Sequence, residues 1–280
     1  MTRNLSIAAV QFAPTDDLNA NIDTAESYVR QASASGAQIV LLPELFGGAY
    51  FCKTQDETQF ARAYERQKHP AVKRLSKLAA ELGVVIPVSI FEKDGPSFFN
   101  SVVMLDADGT PLGVYRKSHI PDGPGYQEKF YFRPGDTGFK VWETRHGRVG
   151  VGICWDQWFP EAARAMALMG ADVLLYPTAI GSEPQDAGLD TAARWRRAMV
   201  GHAVSNVMPV CAANRIGNEA GQVFYGTSFV ADPAGEIVAE IGRTESGVIH
   251  ASFDLDEIER ERAAWGFFRD RRPELYRALV

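Results

Sequence analysis

Residues 150–161 read GVGICWDQWFPE. An apolar run containing small glycines closes on Cys154. Trp155 and Asp156 then lead to a helix start. The stretch predicts a strand over 149–154 and a helix over 159–169, one unit of a layered α/β fold. A cysteine inside a strand is usually a small hydrophobe. At the carboxyl end of a strand, against a helix start, it is placed to act as a nucleophile.

Outward from that unit, runs rich in Val, Ile and Leu alternate with segments of helical period. Strands are expected at 6–12, 38–43, 84–91, 172–176 and 207–213, and helices at 19–35, 71–82 and 189–206. Two places break the alternation. Runs 99–105 and 112–116 flank Asp-Ala-Asp-Gly-Thr, and runs 227–231 and 237–241 flank Asp-Pro-Ala-Gly-Glu. Both read as hairpins with turn residues at the tip, so the sheets are expected to be mixed rather than purely parallel. The chain has 280 residues, 46% of them hydrophobic, and no repeat, low-complexity tract or linker. We therefore expect a single domain over 1–280, with an Arg- and Asp-rich C-terminal arm from about residue 265.

Composition narrows the function. Cys52, Cys154 and Cys211 are odd in number and widely spaced, which argues against a disulfide framework or a zinc site and for a reducing cytoplasm. Gln11 interrupts the N-terminal apolar run before it reaches signal-peptide length, and no window approaches the ~18 apolar residues of a membrane span. A net charge of −6 argues mildly against a nucleic-acid partner, and the short run RWRRA at 194–198 reads as a solvated helix face.

Three strand ends carry reactive groups: QIVLLPE ends in Glu44, GVYRK in Lys117 and VGVGIC in Cys154. Ligands of open α/β sheets collect outside the carboxyl ends of strands, where these groups can converge. A thiol near its ordinary pKa of about 8.5 needs a base or a positive charge to become nucleophilic at neutral pH. Glu44 supplies a base, Lys117 a cation for a thiolate or an oxyanion, and the N–H of Trp155 a second oxyanion donor. His119 reads as a structural hydrogen-bonding group. The residues alone equally allow a buried thiol, a surface lysine and a helix-capping glutamate. The loop 118–138, punctuated by Pro121, Pro124, Pro134, Gly123, Gly125 and Gly135, is long enough to be functional.

The strings LLPELF, GVYRKSHIPDGPGYQEKFYFRPGDTGFKVW, GICWDQWFPEAARAMALMGADVLLYPTAIGSEP and CAANRIG resemble the nitrilase superfamily of carbon–nitrogen hydrolases, in particular its N-carbamoylputrescine amidohydrolase branch. The resemblance runs from the first strand to about Phe268. It implies a four-layer α-β-β-α sandwich with two mixed sheets, usually associated as a homo-oligomer. It also implies Glu44 as general base, Lys117 as oxyanion stabiliser, Cys154 as nucleophile and Glu128 as a second glutamate close to it. The implied chemistry requires no metal or organic cofactor. A small cationic carbamoyl substrate needs apolar walls and a distant carboxylate, because a desolvated ammonium needs a partner. Tyr50, Tyr126, Trp155 and Glu183 are the candidates. The alternative is an anionic ureide such as 3-ureidopropionate, with Arg215 as its anchor.

Overall fold

A computed structural model describes residues 3–279; Met1, Thr2 and Val280, at the ends of the expected 1–280 domain, lie outside the described residues. In chain order the strands are β1 (Asn4–Gln11), β2 (Ile39–Leu41), β3 (Ile86–Asp94), β4 (Ser97–Leu105), β5 (Pro111–Arg116), β6 (Val141–Thr144), β7 (Gly147–Val151), β8 (Val173–Pro177), β9 (Val210–Ala213), β10 (Ile216–Glu219), β11 (Gln222–Tyr225), β12 (Phe229–Ala231), β13 (Ile237–Glu240) and β14 (Gly247–Asp254). The α-helices are α1 (Leu18–Ala34), α2 (Pro70–Leu82), α3 (Pro160–Leu168), α4 (Ala192–Asn206) and α5 (Leu255–Trp265).

The layers follow from strands that are apolar on both faces. In β1, Ala8 and Val10 enter a core with Ile22 and Val29 of α1 and Leu75 and Leu78 of α2. The alternate residues Ile7 and Ala9 point the other way, into a core shared with Val149, Val151, Val173 and Leu175. In β8, Val173 and Leu175 face that shared core, while Leu174 and Tyr176 pack on Met166 of α3 and Trp195 and Met199 of α4. A strand buried on both sides cannot face water, so two sheets stack between two helical layers. Each fully buried Leu, Ile or Val contributes about 1.5–3 kcal/mol to holding those layers together.

The first sheet runs β14-β1-β2 and continues through the parallel bridge Ile39↔Val85 into β3-β4-β5. The second runs β13-β12-β9-β8-β7-β6. In both, parallel pairing at the centre gives way to antiparallel pairing at the edges. This is the α-β-β-α sandwich with two mixed sheets.

Several boundaries differ from the sequence reading. The expected strand 207–213 begins at Val210, because Val207 takes a left-handed conformation (φ 48°) to end α4. The expected helix 189–206 begins at Ala192, and the strand expected to reach Cys154 ends at Val151. The β3-β4 hairpin, the β10-β11 hairpin, β6, β14 and α5 were not predicted. Beyond α5, residues 273–275 and 277–279 form short 3-10 turns, and Trp265, Leu275 and Leu279 are exposed. No described helix is long and apolar enough to cross a membrane.

Candidate active site

The carboxyl ends of β2 and β5 bring a glutamate and a lysine together. Glu44 follows β2; its N–H donates to the Thr178 carbonyl at 3.3 Å, and the next N–H, of Leu45, donates to Ser89 Oγ at 2.9 Å. Leu45 has φ 48°, uncommon for a bulky residue, and this turn sends the Glu44 side chain into the interior. Lys117 follows β5; its N–H donates to the Asn100 carbonyl and its carbonyl accepts the Gly135 N–H, both at 2.8 Å. A Cβ on Gly135 would lie 2.0 Å from the Arg116 carbonyl oxygen, so a glycine lets the 118–138 loop fold back over the strand end.

Lys117 Nζ donates to Glu44 Oε1 at 2.9 Å and to Glu128 Oε2 at 2.7 Å. All three side chains are buried. Asn100 Nδ2 donates to the same Glu44 Oε1 at 2.7 Å, and Tyr50 Oη donates to Glu128 Oε1 at 2.7 Å. Glu44 Oε2 is buried without a hydrogen-bond partner. A fully buried carboxylate oxygen left without a protein partner is costly.

Cys154 opens a short 3-10 helix (Cys154–Trp158) with φ 41°. Such a conformation costs on the order of 1–3 kcal/mol and persists where surrounding contacts over-determine it. Asp156 provides those contacts. Buried, it accepts from the Ile153 N–H at 2.9 Å, the Tyr115 hydroxyl at 2.7 Å and the His119 N–H at 3.0 Å. The His119 ring nitrogen lies 2.7 Å from the same carboxylate, and the ring stacks on Phe159 at 3.6 Å. His119 thus braces the turn, as expected of a structural histidine.

Burial pushes the Cys154 thiol well above its ordinary value, and Glu44 adds to the rise against the opposing pull of Lys117. Burial also raises Glu44, with Lys117 and Asn100 pulling it back. For Lys117 burial acts downward, yet Glu128 and Glu44 outweigh it and hold the ammonium well above its usual range. Cys154 is therefore held as a thiol beside the buried Glu44–Lys117–Glu128 cluster. A thiol held in this way becomes nucleophilic only on losing its proton to a base.

A cleft of 360 Å³ opens over Cys154, with Tyr126, Glu128, Trp155, Trp158, Glu183 and Arg194 among its walls. Tyr126 Oη accepts the Gly181 N–H and the Gln222 amide, each at 2.8 Å, and donates to the Ser182 carbonyl at 3.2 Å. These bonds fix the segment that carries Glu183. Trp155 and Trp158 meet edge to face with centroids 6.2 Å apart.

Two sequence expectations need correction. Tyr50, expected as a wall, is fully buried behind Glu128 and does not line the cleft. Arg215, the proposed anion anchor, is also fully buried; its Nε lies 3.0 Å from Glu219 Oε1 and its Nη2 donates to the Gly48 carbonyl at 2.6 Å. Three residues were missed. Asn100 left a signal, a lone amide in the apolar run of β4. Trp158 lines the cleft, as does Arg194, read as part of a solvated face.

Comparison with known proteins places this geometry. The carbon-nitrogen hydrolase family model matches residues 6–263. The chain is 58% identical to an N-carbamoylputrescine amidase of Arabidopsis thaliana, over 99% of this chain and 96% of that protein. It is 50% identical to a citrullinase of Francisella tularensis, over 99% and 98%. The crystal structure of a carbon-nitrogen hydrolase from Helicobacter pylori superposes with a TM-score of 0.93 at 36% identity, covering 99% of this chain and 98% of that one. The chain belongs to the carbon-nitrogen hydrolase family of the nitrilase superfamily.

Proposed function

We propose that this protein hydrolyses N-carbamoylputrescine to putrescine, carbon dioxide and ammonia, with Cys154 as nucleophile, Glu44 as general base and acid, Lys117 as oxyanion partner and Glu128 as the group that orders Lys117 and the substrate. The observation that carries this assignment is the buried Glu44–Lys117–Glu128 cluster, bonded at 2.9 and 2.7 Å, beside a cleft that holds Cys154 and Glu183. The whole-chain identity of 58% to the Arabidopsis amidase supports the substrate.

In the first stage Sγ attacks the ureido carbon as its proton passes to Glu44. The C–O π pair becomes an oxyanion facing Lys117 Nζ and the Trp155 N–H. Collapse breaks the bond to the terminal nitrogen, which leaves as ammonia with the proton from Glu44. An S-alkylthiocarbamate remains on Cys154. Water, deprotonated by Glu44, then attacks the same carbon and the thiolate departs, recovering its proton. The released carbamic acid loses carbon dioxide and gives the amine. The four-carbon chain lies along Trp155, Trp158 and Tyr126, and the terminal ammonium pairs with Glu183.

A second substrate is favoured by Arg194, whose place in the same cleft as Glu183 suits a ureide with a carboxylate beside its ammonium. Citrulline is such a molecule, and a relative 50% identical is a citrullinase. An anionic ureide without an ammonium, such as 3-ureidopropionate, leaves Glu183 unpaired. The catalytic unit is one domain followed by an arm after residue 265. The exposed Leu168 and Met169 at the end of α3, with Trp265, Leu275 and Leu279, support a homo-oligomer, and three free, buried cysteines support a cytoplasmic setting.

The test is ammonia release from N-carbamoylputrescine, citrulline, 3-ureidopropionate and N-butylurea in parallel. Preference for N-carbamoylputrescine supports the assignment. Preference for 3-ureidopropionate overturns the role of Glu183, and no release from any of the four overturns the function.

A further inference from the structure

Asn100 sits in the middle of β4 and is 1% exposed, an amide between the buried Phe99 and Ser101. Two of its groups reach two members of the buried cluster. Its carbonyl accepts the Lys117 N–H at 2.8 Å, and its Nδ2 donates to Glu44 Oε1 at 2.7 Å. Lys117 Nζ donates to that same oxygen at 2.9 Å. Glu44 Oε1 is thereby engaged twice, while Oε2 has no partner. The amide orientation is forced, since an Asn100 oxygen turned toward the Glu44 carboxylate would set acceptor against acceptor. Asn100 Oδ1 in turn is left buried and unpaired. The side-chain hydrogen bond that Asn100 makes within the protein is thus the one to the carboxylate.

We infer that Asn100 is a positioning residue for the hydrolysis: it pins one oxygen of Glu44 so that the other is the single basic oxygen presented to the thiol, the departing ammonia and the incoming water. The inference rests on the proposed role of Glu44 as base. Lys117 alone cannot do this, because its Nζ is shared with Glu128 and is also the oxyanion partner. The charged and titratable groups around Glu44 are Lys117 beyond β5, Glu128 in the 118–138 loop, Cys154 beyond β7, Tyr50 and Cys52 on the segment after Glu44, and Arg215 between β9 and β10. Asn100 adds to these a neutral donor that favours the ionised carboxylate.

The test is the pH dependence of kcat/KM for the enzyme with Asn100→Leu, which keeps the branched shape and removes the donor, and with Asn100→Ser, which is too short to reach Glu44. Loss of a hydrogen bond to a buried charged group is expected to move the acid limb upward by about one pH unit, with a loss of about tenfold in kcat/KM below the limb. KM on the alkaline side should stay near that of the wild type. An unmoved acid limb in either folded variant, whether activity is unchanged or reduced uniformly at all pH values, overturns the inference. Should Asn100→Leu fail to fold, Asn100→Ser carries the same reading. Glu44→Gln separates the two claims: its full activity would overturn Glu44 as base, whereas its inactivity together with an unmoved limb in the Asn100 variants would overturn the role of Asn100 alone.

Discussion

Replacing Lys117 with methionine keeps most of the side-chain volume and removes the cation between two buried carboxylates. In the native protein that ammonium lies 2.9 Å from Glu44 and 2.7 Å from Glu128, and none of the three is exposed. Without it, two carboxylates in a low-dielectric site cannot both stay ionised, and one takes up a proton. Measured against an unfolded-state carboxylate pKa of about 4.3, holding one protonated carboxyl at pH 7 costs about 4 kcal/mol, and at pH 5 about 1 kcal/mol. The first figure falls in the range of about 3–5 kcal/mol for breaking a buried ion pair. The folded variant binds more protons than its unfolded chain in this window, so its deficit relative to wild type shrinks as pH falls, by about 3 kcal/mol from pH 7 to 5. Adding Glu128→Gln removes one carboxylate and should restore about 2 kcal/mol or more at pH 7. Urea unfolding of wild type, single and double variants, followed by tryptophan fluorescence at both pH values, measures this. A deficit that is the same at pH 7 and pH 5, or a double variant no more stable than the single, would refute the reasoning.

Three further outcomes are expected. Glu183→Gln should raise KM for N-carbamoylputrescine about tenfold or more, because a partly solvated charged hydrogen bond is lost, and leave N-butylurea nearly unaffected; equal changes on both substrates would count against the assignment. Tyr126→Phe deprives the Gly181 N–H and the Gln222 amide of their acceptor, so KM for the cationic substrate should rise several-fold, at a stability cost of about 1–3 kcal/mol seen by denaturation. His69, buried at the start of α2 where its Nδ1 accepts the Ala71 N–H, is pushed down to about 4 by burial. The unfolded chain therefore takes up this proton first, and as pH falls from about 6.5 to about 4 the protein loses up to about 3 kcal/mol. His69→Asn retains an acceptor for the cap and should flatten the loss in thermal midpoint over that interval.

The sandwich was legible because its central strands are apolar on both faces. Ile7 and Ala9 against Ala8 and Val10 already place one layer on each side of β1. Glu44, Lys117 and Cys154, which follow β2, β5 and β7, were legible because reactive side chains there close apolar runs. What stayed hidden depends on contacts far apart in sequence. β14 is partly exposed and pairs with β1 across most of the chain, so local periodicity is weak there. Tyr50 and Arg215 look like loop and strand-end residues, yet Glu128 and Glu219 draw both inward. Arg194 has the sequence surroundings of a solvated helix face, and the fold alone brings the cleft to it. Asn100 and Ser101 are the buried polar residues of β4, which signals partners without naming Glu44.

The central claim is that Cys154 carries the substrate carbon. Acid-quenched enzyme taken during turnover of N-carbamoylputrescine, analysed by intact mass and by peptide mapping, tests it directly. The account predicts an adduct on the peptide bearing Cys154, heavier by the substrate less ammonia, and neither adduct nor ammonia release with Cys154→Ala. Ammonia release at the wild-type rate by Cys154→Ala, or an adduct on a residue other than Cys154, would contradict it.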